Sequence, residues 1–178
     1  MITYFFNKGI NLFKIYVEWV IMKSIVFNVD CLLNFLKLKR SDLLEDEFRY
    51  IIISNKVYNT LSNPSISQYI RDDLNSLIEK KFIRIEEINL NTDAFELYYN
   101  IVNNYDKEIL GDGEASSIAL AVKNNKTLAF NNKNLIETYL KEYNIKCIGT
   151  NDILNSLLEK EIISKKEFQK IIEELNQH

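Results

Sequence analysis

The chain has 178 residues, 47% of them hydrophobic and 26% charged, with a net charge of −3 and a pI of about 5.4. That balance excludes a disordered or low-complexity chain and fits one domain with a sizeable core. It gives no overall basic signature of a nucleic-acid binder, although a local Lys/Arg stripe would be enough for one.

Residues 1–21, "MITYFFNKGINLFKIYVEWVI", are apolar and aromatic, but Lys8, Lys14 and Glu18 interrupt them. They make a poor membrane span and lack the layout of a secretory signal. They are expected to be an added helix, or to precede a working start at Met22, with the domain running over 22–178. "SIVFNV" (Ser24 to Val29) reads as a first buried strand and "CLLNFLKL" as a helix, with "DLLEDEF" a second short helix. "YIIIS" is the next strand and "NKVYNTL" a turn or two of helix. "SQYIRDDLNSLIEK" carries Tyr69, Ile70, Leu74, Leu77 and Ile78 at helical spacing. "FIRIEEI" alternates like a half-exposed strand. "TDAFELYYNIVNNY" is helical, with Thr92 or Asp93 as its cap. The spacing then predicts a helix from Asp112 to Asn125, a strand from Thr127 to Phe130, a helix in "NLIETYLKEY" and a short strand in "IKCIG". Helices in "DILNSLLEK" and "SKKEFQKIIEEL" follow, the last entered at Ser164. Short strands alternating with helices predict an α/β fold around a central, mostly parallel sheet.

Cys31 and Cys147 lie in apolar contexts without metal-ligand spacing and read as reduced core thiols of a cytoplasmic protein. The only histidine is the terminal His178, which argues against a zinc site. In an open parallel sheet, ligands bind beyond the carboxyl ends of the strands. Asp30 follows the first strand, Asn131 and Asn132 follow "TLAF", and Asp112 and Glu114 open the helix feeding that strand. Each has a plain alternative: Asp30 as a helix cap, Asp112 and Glu114 as first-turn acids, the asparagines as turn formers. Together they suggest an oxygen-rich site for Mg²⁺ or Mn²⁺. Lys37, Lys39, Arg40, Lys123, Lys126 and Lys133 are candidate phosphate contacts, each also readable as a solvated surface cation.

"IVFNVDCLLNFL", "IIISNKVYNTL", "LGDGEASSIALAVKNNKTLAFNNKNL" and "IKCIGTNDILNSLLEKEIIS", in that order, resemble the PIN-domain family. The resemblance implies a three-layer α/β/α fold and a metal-dependent endoribonuclease, often the toxin of a VapC-type toxin–antitoxin pair, using Mg²⁺ or Mn²⁺. It implies Asp30 and Glu114 as metal ligands with Asp112 assisting, and Asn131 or Asn132 at the last acidic position. RNA, an antitoxin partner and self-association follow from the same resemblance. The chain departs from the family where a Glu is usual, offering Asn59 and Thr60, and where Asp-Asp is usual, offering Asn131-Asn132. The acids of "SDLLEDE" (Asp42, Glu45, Asp46, Glu47) could compensate, or form a solvated helix face. The alternative is a catalytically degenerate PIN-like binding module in a regulatory or defence complex.

Overall fold

The computed structural model describes residues 24–103 and 110–177, so the expected extension over 1–21 lies outside the described residues. In chain order the elements are β1 (Ile25–Phe27), α1 (Val29–Lys37), α2 (Asp42–Glu47), β2 (Ile51–Ser54), α3 (Asn55–Leu61), α4 (Gln68–Glu79) and β3 (Ile83–Glu86). Then come α5 (Phe95–Val102), α6 (Asp112–Lys123), β4 (Leu128–Ala129), a 3-10 turn (Lys133–Ile136), α7 (Glu137–Glu142), β5 (Cys147–Ile148), α8 (Thr150–Glu159) and α9 (Lys165–Leu175). The strands form one parallel five-stranded sheet in the order β3-β2-β1-β4-β5.

Side chains on a strand alternate between faces, and here each face is buried under helices. Ile25, Phe27, Ile51 and Ile53 point into a core shared with Leu32, Leu36, Leu74, Leu154 and Ile171 of the helices on that side. Val26, Ile52, Leu128 and Phe130 point the other way, against Ile101, Ile118, Ala119 and Tyr139. The result is the expected three-layer α/β/α architecture. Fully burying one such side chain stabilises by about 1.5–3 kcal/mol. A typical hydrogen bond contributes a net of about 1 kcal/mol, so the two apolar layers, not the polar groups at the strand ends, hold the fold. No helix among the described residues is long and apolar enough to cross a membrane.

Several boundaries move from their expected places. β1 ends at Phe27 because the Asn28 carbonyl already accepts from Leu32 N–H at 3.2 Å, which starts α1. Asp30 therefore sits inside the first turn of α1 and does not directly follow the strand. α5 starts at Phe95, since the Thr92 hydroxyl donates to Asn89 O at 2.8 Å and closes the preceding turn instead of capping the helix. Tyr69 is 43% exposed, with the Lys39 ammonium 5.0 Å from its ring centre, while Ile70, Leu74 and Leu77 are buried as expected. "NLIETYLKEY" is split into the 3-10 turn and α7.

Candidate functional site

The strand order places β1 in the middle of the sheet. The chain passes from β1 to β2 on one side and returns from β3 to β4 on the other. The carboxyl ends of β1 and β4 thus flank a switch point, where open α/β sheets present a crevice. Asn28, at the end of β1, is 3% exposed. Its backbone N–H donates to Ala129 O at 3.0 Å and continues the ladder to β4. From the first turn of α1, half-buried Asp30 accepts at Oδ1 from Cys31 N–H at 2.7 Å and from Asn28 Nδ2 at 3.2 Å. Its Oδ2 accepts from Asn131 N–H at 3.0 Å, strapping β1 to the loop after β4.

The strap continues. Asn131 Oδ1 accepts from Thr150 N–H at 2.8 Å, at the end of β5. Thr150 Oγ1 lies 3.1 Å from Asn34 Nδ2 and 3.4 Å from Cys31 Sγ. Gly149 leaves room for this approach, since a Cβ there would stand 3.3 Å from Asn131 Oδ1. Asn132 caps the 3-10 turn by accepting from Leu135 N–H at 3.4 Å. On the far side of Asn28, Ser117 Oγ is 3.5 Å from Asn28 Oδ1 and donates to Gly113 O at 2.7 Å. Beside it, Ser116 and Ser54 hydroxyls pair at 2.7 Å, and Ser54 also accepts from Val57 N–H.

The expected acids are separately engaged. Glu114 Oε2 accepts from Gly111 N–H at 2.7 Å, satisfying an orphan donor at the start of α6. Asp112 Oδ1 accepts from the Tyr98 hydroxyl at 2.8 Å. Burial first, and then this bond, push the Tyr98 phenol up to about 12. Asp112 shares a shallow open cavity with Lys56, Asn59 and Thr60, so the residues at the expected second-acid position face Asp112 and leave Asp30 to the strap. No hydrogen bond links Asp30 to Glu114 among the described residues. Those residues also contain no group of three or more Asp, Glu, His or Cys side chains that could hold a metal ion. Asp42, Glu45 and Glu47 are turned to ion pairs with Arg40, Lys80 and Lys160.

The cations are scattered. Arg40 is held by Asp42 at 3.0 Å and Glu167 at 2.7 Å, and Lys37 and Lys39 lie at the end of α1 remote from its crevice-side start. Lys123 and Lys126 precede β4 at its amino end, where Thr127 O accepts from Val26 N–H. Lys133 alone of the set follows β4, and its ammonium pairs with Asp152 at 2.6 Å. That ammonium and the Gly149 N–H hold the Asp152 carboxyl below its usual range. Burial raises the Cys31 thiol strongly and Cys147 to about 11, and both are free cysteines.

The residues that join the strand ends and went unsingled in the sequence are Asn28, Asn34, Ser54, Ser116, Ser117 and Thr150. A polar residue interrupting an apolar strand, as Asn28 does, was the available signal. The hydroxyls of "EASSIA" resemble ordinary small helix-packing residues and carried none.

A PIN-domain family model matches residues 24–178. The chain belongs to the PIN-domain family. Two PIN-like structures share its fold. A PilT N-terminus domain protein from the archaeon Sulfolobus solfataricus has a TM-score of 0.50 at 16% identity, over 77% of this chain and 95% of its own. VapBC2 from Rickettsia felis, solved bound to a DNA fragment from its promoter, has a TM-score of 0.50 at 14% identity, over 71% of this chain and 98% of its own. At such identities these likenesses speak for the fold. No curated protein matches the chain. PIN domains generally use divalent metal ions. This PIN domain offers a poor donor set for one: Asn28, Asn131 and Asn132 bring no charge, and Asp30, Asp112 and Glu114 are bound to three different donors.

Proposed function

We propose that this PIN domain is a binding module of the toxin–antitoxin type, held by an antitoxin-like protein partner, and that its crevice does not hydrolyse RNA through a divalent ion. The observation that carries the reading is the crevice itself. The ends of β1, β4 and β5 are tied by amides, a hydroxyl and one carboxylate that already satisfy one another. A protein partner fits better than RNA, since Arg40 and Lys133 are committed to ion pairs and the other candidate cations do not converge. The antitoxin-like partner is carried over from the VapC-type resemblance, with the likeness to VapBC2 in its support. Self-association and a cytoplasmic location belong to this proposal as well.

One observation favours a second reading, a metal-dependent endoribonuclease: Asp30 and Glu114 both stand at the carboxyl end of the sheet, on the first turns of α1 and α6. The two readings separate on an RNA pool incubated with purified protein in Mn²⁺, Mg²⁺ or EDTA. The binding-module reading predicts cleavage no faster with metal than with EDTA. Metal-dependent cutting that disappears in both Asp30→Asn and Glu114→Gln, with folding retained, would establish the nuclease instead.

A further inference from the structure

Asn28 reaches toward both sides of the crevice, to α1 and to α6. It is 3% exposed, and its Nδ2 donates to Asp30 Oδ1 at 3.2 Å. Its Oδ1 faces α6, 3.5 Å from Ser117 Oγ and 3.8 Å from where a Cβ on Gly113 would stand. The amide has a donor for the carboxylate, and the reverse orientation would set oxygen against oxygen at Asp30. An aspartate in its place would have no donor to offer. Two acceptor-only carboxylates would then meet at hydrogen-bonding distance and repel, unless a cation lay between them.

We infer that the Asn28 amide does the work a divalent cation would do between these strand ends, so that the crevice closes without metal. This rests on the binding-module reading and goes further, because it assigns the charge balance of the crevice to one residue. Asp30 then acts as a structural strap whose partners are the N–H groups of Cys31, Asn28 and Asn131. A single substitution at Asn28 should turn the strap into a cation site.

Thermal melting of the wild type, Asn28→Asp and Asp30→Asn in EDTA and in millimolar Mn²⁺ tests this. The wild type should melt at the same temperature in both conditions. Asn28→Asp should melt about 5 °C lower in EDTA and recover in Mn²⁺. If that variant does not fold in EDTA, refolding on addition of Mn²⁺ is the equivalent result. Asp30→Asn should melt below the wild type in both conditions and ignore the metal. A wild-type Tm that rises in Mn²⁺ and loses that rise in Asp30→Asn overturns the inference. So does an Asn28→Asp variant that Mn²⁺ neither stabilises nor refolds. A protein silent on RNA whose Tm still responds to Mn²⁺ through Asp30 would overturn this inference and leave the binding-module reading standing.

Discussion

Tyr98 gives the first acid of α6 a fixed partner. Its hydroxyl donates to Asp112 at 2.8 Å, its ring lies 5.6 Å from the Lys56 ammonium, and burial with the carboxylate raises its phenol to about 12. A phenol whose pKa is higher folded than unfolded contributes stability that is complete below the unfolded value, near 10. That contribution is lost as pH rises through the folded value. Tyr143 is also raised to about 12, so Tyr98→Phe should remove part, not all, of the stability lost between pH 10 and pH 12. Urea midpoints across that window measure it, and an unchanged slope in the variant would detach Asp112 from Tyr98. The same scale shows where sequence reading stopped. Asp30 was legible as an acid near the end of β1, but its partner Asn131 N–H is a backbone group 101 positions away that no side-chain pattern announces. Asn28 shows as a break in the apolar pattern, but its neighbour Ser117 stands 89 positions away and is not given by chain order.

A buried hydroxyl pair links the cap of α3 to α6. Ser54 ends β2, caps α3 through Val57 N–H at 3.0 Å, and meets Ser116 at 2.7 Å, all fully buried. Ser54→Ala removes the cap and one partner of Ser116, whose own donation to Gly113 O remains possible. The expected loss is about 1–3 kcal/mol, read from denaturant melts. A loss below a few tenths would mean that α3 holds without its cap. Elements of this kind were legible wherever an apolar period was long. The spacing of α4 and the alternating faces of β1 and β2 follow from Ile70, Leu74 and Leu77 and from Ile25, Phe27, Ile51 and Ile53. Short β4 was legible too, with Thr127 O and Phe130 N–H carrying cross-strand bonds on either side of Leu128–Ala129, but the capping bond of Asn132 diverts the next residues into a 3-10 turn before α7.

For the whole molecule, topology brings together what the chain keeps apart, setting the ends of β1, β4 and β5 side by side around the Asp30–Asn131–Thr150 strap. The architecture was readable because apolar strands and amphipathic helices alternate along the chain. The chemistry of the crevice was not, because it depends on which oxygen each carboxylate gives to which N–H. The most direct test is calorimetric titration of Mn²⁺ into the purified wild type. No saturable heat is predicted, and adding Mn²⁺ to Glu114→Gln should give the same trace. Saturable one-site binding that Glu114→Gln or Asp30→Asn abolishes would contradict the account.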